Sequence, residues 1–394
     1  MENVQFDKTD SGTVLRLSGH IDSGNAPEAE KEIHDYLAEN PAHAVTVNCQ
    51  GLEYISSAGL RVLLRLHKEA GPLQLINVGS EVYEIFEMTG FTEMMEIRKA
   101  YRTISVKGCE LIGQGANGAV YRIAPDTIVK VYLDPDAEEE IQKERELAST
   151  AFVLGIPTAI SYDIVLVDGD KYGSVFELLN ANTYAQLLKK EEMTVEEAAQ
   201  KSIELLKQIH STKVKAGSMP DMKAVALDWA EFLKDYLPKD AYRKLHDLIK
   251  AIPKDNHMLH GDYHVKNIML QNGESLLIDM DTLCHGHPVF ELGNMFNAYY
   301  GFNELNPARL EAFLGIKVDT AHDLWTRSLQ LYLDSTDEDT IREVENKAKI
   351  VGYTRLMRRR IRRKGLESED GRRDIECFKN HLLELLPETD TLLF

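Results

Sequence analysis

His260-Gly261-Asp262-Tyr263-His264-Val265-Lys266-Asn267, followed after a short hairpin pattern by Leu277-Ile278-Asp279-Met280-Asp281, is the most informative stretch of this 394-residue chain. Phosphoryl transfer needs a carboxylate beside the attacking hydroxyl and oxygen ligands for Mg²⁺ bridging nucleotide phosphates. Asp262, Asn267 five residues on, and Asp279 at a strand end supply these groups in that order. The strand running into Asp279 is apolar (Leu276, Leu277, Ile278). A carboxylate at the end of a buried strand needs a cation or hydrogen bonds to stay charged. His257, His260 and His264 offer a second reading, a zinc site, but the segment has neither a cysteine nor an H-E-x-x-H pattern.

Working upstream, Gly113-Gln114-Gly115-Ala116-Asn117-Gly118 matches G-x-G-x-x-G. A dinucleotide fold would open a helix directly after the glycines. Here Ala119-Val120-Tyr121-Arg122-Ile123 follows, a strand pattern, and glycines between antiparallel strands form a flap over nucleotide phosphates. Lys130 alternates with apolar neighbours on the next strand. A lysine aimed into a lobe interior needs an anionic partner. Nucleotide phosphates and a helix carboxylate would serve, with Glu144 best placed and Glu146 the alternative.

Residues 105 to 300, with H-G-D-x-H-x-x-N and I-D-x-D, resemble the aminoglycoside phosphotransferase and choline kinase group of small-molecule kinases. That resemblance implies an α+β protein-kinase-like bilobal domain over residues 101–394, with an N-lobe near 105–179 and a C-lobe near 180–394. It implies ATP and Mg²⁺ as cofactors, Asp262 as the catalytic aspartate, and Asn267 and Asp279 as metal ligands. Gly113, Gly115, Gly118, Lys130 and Glu144 would surround the nucleotide phosphates. Glu177 and Leu179, in Phe176-Glu177-Leu178-Leu179, match the hinge that receives adenine, and Val120 and Met269 match the apolar walls. Only 12 residues separate Asp279 from Glu291, with no A-P-E motif. Protein kinases need a longer segment there to hold a peptide, so a small molecule bearing a hydroxyl (sugar, aminoglycoside or amino-alcohol) is the expected acceptor.

The first hundred residues read differently. Strands at Thr13–Leu17, Ala44–Asn48 and Leu73–Val78 alternate with helical patterns at Ala26–Ala38, Ala58–Lys68 and Glu81–Met88, which predicts a small α/β domain. Gly19-His20-Ile21-Asp22, Ile55-Ser56-Ser57-Ala58-Gly59-Leu60 and Thr89-Gly90-Phe91 together resemble the STAS domains of bacterial anti-sigma factor antagonists, across residues 1–100. In that family a serine before the central helix is phosphorylated by a partner kinase, and Ser57 occupies that position. The resemblance implies a protein regulator as partner. It also supports an alternative reading, a signalling or docking protein whose kinase-like domain senses nucleotide or phosphorylates Ser57. A serine at a helix start is also a common cap.

From Arg102 the texture turns to antiparallel strands, expected at Ser105–Ile112, Ala119–Ile123 and Thr127–Tyr132, before a helix at Asp136–Phe152. Past Asn180 the chain reads as mostly helical, opened by the capping box Thr194-Val195-Glu196-Glu197. Lys plus Arg is 45 against 64 for Asp plus Glu, a formal charge of −19, which argues against nucleic-acid or anionic-membrane binding as the main work. No apolar run approaches the ~20 residues of a membrane span. The start, MENVQFDKTD, shows no secretory signal, and the four cysteines form no C-x-x-C pair. A cytoplasmic protein with reduced thiols is expected. The basic stretch Arg355–Lys364 could be read as a nucleic-acid patch, but Ile350, Tyr353, Leu356 and Ile361 at helical spacing predict an amphipathic helix with a solvated basic face. The alternative role of the stretch is to hold an anionic substrate or the acidic N-terminal domain.

Overall fold

A computed structural model describes residues 3–9, 12–40, 45–115, 118–134, 137–179, 181–215 and 217–394. Met1, Glu2, Asp10, Ala44, Ala116, Asn117, Asp136 and Asn180, on which parts of the sequence reading fell, lie outside the described residues. The chain divides into two compact units, Met1–Lys107 with Ile164–Gly173, and Gly108–Asp163 with Ser174–Phe394.

The first unit runs β1 (Val4–Thr9), β2 (Gly12–Ile21), α1 (Ala26–Glu39), β3 (Val45–Ile55), α2 (Ser57–Ala70), β4 (Leu73–Val78), α3 (Ser80–Met88) and β5 (Glu96–Lys99). The strands form one sheet in the order β1-β2-β3-β4-β5. Strand β1, which the sequence reading did not anticipate, pairs antiparallel with β2, and the remaining pairs are parallel. Parallel strands need crossovers, which the three helices provide. Val45, Val47 and Cys49 of β3 are buried while Thr46 and Asn48 are only partly covered, the period-2 pattern of a strand packed chiefly on one side. In α2 the apolar Leu60, Val62, Leu63 and Leu66 enter that core, and Arg61, Arg65 and Lys68 face solvent.

Strand β6 (Arg102–Ile104) pairs in parallel with β10 (Asp163–Val167). Ser105 Oγ donates to Asp168 Oδ1 at 2.6 Å, and the rings of Tyr101 and Tyr172 meet edge to face at 5.4 Å. These contacts tie the tip of the hairpin, Ile164–Gly173, to the first unit. Of the expected strand Ser105–Ile112 only residues 110–112 are strand, at the start of the next strand, and residues 105–109 form a loop. Gly108, at φ +81°, breaks the expected run where the backbone must turn left-handed.

The second unit begins with β7 (Glu110–Gln114), β8 (Gly118–Ala124), β9 (Thr127–Tyr132) and α4 (Glu138–Val153). Strand β11 (Lys171–Glu177) returns from the hairpin beside β9, giving the order β11-β9-β8-β7. Next come β12 (Asn182–Thr183), α5 (Tyr184–Lys189), α6 (Val195–Ser211), α7 (Met222–Phe232), α8 (Lys239–Ala251), β13 (Met258–Leu259), β14 (Ile268–Gln271), β15 (Glu274–Leu277) and β16 (Cys284–His285). Helices α9 (Val289–Phe296), α10 (Pro307–Leu314), α11 (Val318–Leu333), α12 (Glu338–Arg362) and α13 (Glu369–Leu385) complete it. Thr194 and Glu197 cap α6 reciprocally: Thr194 Oγ1 accepts from Glu197 N at 3.2 Å, and Glu197 Oε2 accepts from Thr194 N at 2.9 Å. Among the described residues, no helix is long and apolar enough to cross a membrane.

The helical core holds the loop between β13 and β14 rigidly, which matters for the site. Tyr263 is fully buried and its Oη donates to the carbonyl of Ser202 at 2.6 Å. Val265, also fully buried, donates its N–H to Tyr299 Oη at 3.1 Å. Two anchors at alternate positions leave Asp262, His264 and Lys266 lining the cavity described next.

Candidate active site

A cavity of about 740 Å³ opens within the second unit, walled by β7 to β9 on one side and the β13–β14 loop and α12 on the other. Gly113, Gly115, Gly118, Val120, Lys130, Glu144, Glu177, Leu179, Asp262, Asn267, Met269 and Asp279 all line it. The structure thus brings the sequence-predicted residues of the second unit to one place. Ser57 belongs to the first unit, exposed as the first residue of α2. The capping there is done by Ser56, whose side chain accepts from Ala58 N at 3.2 Å and Gly59 N at 3.5 Å.

The glycine flap joins β7 to β8. A Cβ on Gly113 or Gly115 would meet nothing within 4 Å, so both positions leave an open cradle. Gly118 is different. Paired across β8–β9 with Tyr132, it would press a Cβ to 2.3 Å from the carbonyl oxygen of Val131. Its absence of side chain is a requirement of the sheet itself.

Lys130 projects from β9 to the back of the cavity. Its Nζ lies 3.1 and 3.2 Å from the Glu144 carboxylate oxygens and 2.9 Å from Asp279 Oδ1. The partner on α4 is therefore Glu144, which also accepts from Tyr132 Oη at 2.6 Å. Burial alone would lower the Lys130 pKa, but the Asp279 and Glu144 carboxylates outweigh it and hold the ammonium above its ordinary range.

Asp262 follows Gly261, whose φ is +82°. His264 Nε2 stands 3.4 Å from Asp262 Oδ2. Burial would raise the Asp262 pKa, yet His264, Arg355 and His260 hold it well below the usual carboxylate range. The group is an ionised acceptor at neutral pH. Gly261→Ala is expected to lose about 1–3 kcal/mol of stability. The new Cβ would sit 2.3 Å from the Thr282 carbonyl oxygen on a left-handed backbone. Urea unfolding measures it, and an unchanged midpoint would count against this account of the loop.

Asn267 and Asp279 are joined by the backbone, since Ile278 N donates to the Asn267 carbonyl at 3.0 Å. The Asn267 Nδ2 donates to the Asp262 carbonyl at 3.0 Å, leaving the amide oxygen as the atom available to a cation. Asp279 takes a left-handed conformation at φ +63°, sparsely populated for any residue but glycine and asparagine-like side chains. Asp281 also lines the cavity, and its carboxyl is pushed up to about 7, by burial first and then by Asp279 and Glu144. The Glu144 and Asp279 carboxylates around one ammonium, with the Asp281 carboxyl and the Asn267 amide lining the same cavity, make an oxygen donor set with surplus negative charge. That suits a hard divalent ion of the Mg²⁺ type. The histidines do not form a shared site: His257 Nδ1 meets Asp255 Oδ1 at 2.5 Å, His260 packs edge-on to Tyr263, and His264 faces Asp262.

Sequence reasoning assigned no role to Glu291 or Asp281, and for the arginines of α12 it preferred a solvated face over a role in holding an anionic substrate. Asp281 had a signal, its position two residues after Asp279. Glu291 is fully buried and accepts from His260 N at 2.5 Å and from Gly261 N at 3.1 Å, so it holds the Asp262 loop from beneath. Arg355, Arg359 and Arg363, read as part of a solvated face, line the cavity. No local pattern distinguishes such a face.

Comparison with known proteins matches both units. Residues 3–105 match the STAS domain family. Over 98 residues the chain is 34% identical to the anti-sigma factor antagonist BtrV of Bordetella bronchiseptica, covering 24% of this chain and 84% of that protein. Among solved structures, the aminoglycoside phosphotransferase APH(4)-Ia is 11% identical with a TM-score of 0.49, covering 71% of this chain and 93% of that one. A choline/ethanolamine kinase family protein from Mesorhizobium loti is 15% identical with a TM-score of 0.45, covering 72% and 88%. Residues 108–325, more than half of the chain, match the Phosphotransferase enzyme family, APH, and the chain belongs to that family.

Proposed function

We propose that the chain transfers the γ-phosphoryl group of ATP to a hydroxyl of a small molecule, in the cytoplasm. In this reading residues 101–394 carry the chemistry and residues 1–100 dock a protein regulator. The observation that carries it is the convergence of Lys130, Asp262, Asn267 and Asp279 beneath the open cradle of Gly113 and Gly115. Asp262 accepts the acceptor's proton as the oxygen attacks. Lys130, held by Glu144, places its charge against the nucleotide phosphates. Val120 and Met269 clasp the base, with the Glu177–Leu179 backbone at its edge. A Mg²⁺ ion held by Asn267 and Asp279 would neutralise charge on the phosphates.

The test is Mg·ATP-dependent phosphorylation across a panel of sugars, amino-alcohols and hydroxy metabolites, with Asp262→Ala as the blank. Equal turnover in both would remove Asp262 from the mechanism. A second reading, in which the kinase-like domain modifies Ser57, is favoured by that residue's exposure at the start of α2 and by the likeness to an anti-sigma factor antagonist. Phosphosite mapping after incubation with Mg·ATP decides it: an unmodified Ser57 counts against it.

A further inference from the structure

We propose that the acceptor hydroxyl compound is an anion, its carboxylate or phosphate held by Arg355, Arg359 and Arg363; this rests on the phosphotransferase reading above. The three arginines recur every fourth residue, Arg355 and Arg359 on α12 and Arg363 directly after its end, and all line the cavity. Arg355 Nη1 donates to the carbonyl of Gly261 at 3.3 Å, which puts this wall next to Asp262 rather than at the adenine end. Two of the guanidinium groups lie over aromatic faces, Arg355 over Trp229 at 5.8 Å and Arg359 over Phe302 at 5.0 Å. Such stacking fixes the planar fork before a ligand arrives.

The Asp262 charge reaches Arg355 and Arg359, but it is a single carboxylate against three guanidinium groups. The adjacent Arg360 pairs with Asp374 at 2.9 Å, whereas Arg355, Arg359 and Arg363 have no carboxylate at ion-pair distance among the described residues. Like charges at i,i+4 repel. Burial, then Arg363 and Arg355, depress the Arg359 pKa. Of the cavity's carboxyl groups, Glu144, Glu177, Asp279 and Asp281 lie with the nucleotide residues, and Asp262 stands beside the arginines, one carboxylate against three guanidinium groups, so a cationic amine would meet a net positive wall. In a chain of net charge −19, a cationic wall of this kind does not follow from overall composition. An anionic ligand removes the repulsion and fills the forks.

Two measurements on the full chain separate this inference from the reading beneath it. With the nucleotide site saturated by Mg·AMP-PNP, inorganic phosphate titrated by calorimetry is expected to bind wild type. Arg359→Gln/Arg363→Gln should bind phosphate at least about tenfold more weakly, as loss of a charge-assisted hydrogen bond implies, while AMP-PNP affinity stays the same. Equal phosphate binding in both, or a parallel fall in AMP-PNP affinity, overturns the acceptor assignment. Asp262-dependent ATP turnover is then compared with glycerate, glycerol 3-phosphate, glycerol and ethanolamine. Preference for either anion supports the inference and tells carboxylate from phosphate, and preference for ethanolamine or glycerol overturns it. Phosphate binding without turnover that depends on Asp262 would sink the enzyme reading and leave the anion site standing.

A separate cluster carries a second inference: we propose that Glu304, Cys377 and His381 form a site for Zn²⁺. Cys377 and His381 are one turn apart on α13, Glu304 lies just before α10, and the three ligating atoms lie within 4.8 Å of one another. Glu304 Oε2 is 3.7 Å from Cys377 Sγ and 3.4 Å from His381 Nε2. Tetrahedral zinc, with Zn–S about 2.3 Å and Zn–N and Zn–O about 2.0–2.2 Å, sets S···O at about 3.6 Å and N···O at about 3.4 Å. An N–H···O hydrogen bond would close to about 2.9 Å. Outer partners are in place too. Tyr353 Oη donates to Glu304 Oε1, Glu384 Oε2 is 3.6 Å from His381 Nδ1, and the Tyr353 ring stacks on His381 at 4.7 Å. Bound zinc would fasten α13 to the segment before α10. Chelator-stripped full chain titrated with Co²⁺ is expected to show a thiolate charge-transfer band that Zn²⁺ abolishes. Cys377→Ser should lose the band, and Tyr353→Phe should keep it with affinity about 10–100-fold lower. No band in wild type, or an undiminished band in Cys377→Ser, overturns the site.

Discussion

Asp262→Asn is expected to slow phosphoryl transfer by roughly 10²–10⁴-fold, the contribution of a positioned general base, with nucleotide affinity nearly unchanged. The substitution keeps the size of the side chain and the packing of Tyr263 and Val265 on either side of the loop. What it removes is the negative charge. That carboxylate is kept ionised by His264, Arg355 and His260 against its own burial, so it is a proton acceptor poised at neutral pH. Lys130, Glu144 and Asp279 form their own ion pairs across the cavity, so the nucleotide's contacts survive the change. Steady-state ADP release together with direct titration of AMP-PNP reads the two quantities apart. A variant within about tenfold of wild-type turnover would exclude Asp262 as the base, because that is below what this kind of catalysis contributes. A parallel loss of nucleotide affinity would place Asp262 in binding instead.

How far this site could be read in the chain depends on how local each part is. Asp262 and Asn267 sit on one loop, and Asp279 follows one hairpin later, so their spacing is fixed by backbone that sequence patterns describe well. The flap glycines and Lys130 lie on consecutive strands and were equally legible. The α/β unit was legible from alternation, except for β1, whose short alternating run Val4–Thr9 gains its strand character only by pairing with β2. The hairpin Ile164–Gly173 shows the limit in another way. Its strands were expected, but its membership of the first unit comes from β6, about sixty residues earlier, through pairing that no local signal encodes. The arginines of α12 fail for a related reason. The apolar spacing of Ile350, Tyr353, Leu356 and Ile361 identifies the buried stripe, and all four are buried. It says nothing about whether the flanking positions face water or a cavity built by elements a hundred residues away.

Glu291 is the other residue whose removal should be costly: Glu291→Ala is expected to destabilise the second unit by about 3–5 kcal/mol, as breaking a buried charged network does, and to abolish turnover with it. The carboxylate has no exposure and accepts three contacts, 2.5 Å from His260 N and 3.1 Å from Gly261 N to each oxygen. It stands in the first turn of α9, where a negative charge is favoured by the helix dipole. Truncation leaves the amides of His260 and Gly261 without a partner inside the core, next to the left-handed turn that aims Asp262. Glu291→Gln separates charge from shape. Its amide can still accept on one side but presents N–H to N–H on the other, so a loss of stability smaller than that of Ala is expected. The two variants also differ from wild type in how stability depends on pH. Burial would raise the Glu291 pKa, but the facing His210 and the Gly261 amide bring it below its ordinary 4.5. A depressed folded pKa adds stability that is complete above the unfolded value and is lost as pH falls through the folded one. The wild-type advantage over Glu291→Gln should therefore be level at neutral pH and shrink as pH drops below 4.5. Urea unfolding of wild type and Gln across that window tests it, and an advantage that grows in acid would show that Glu291 is protonated in the folded chain and holds the loop by other means.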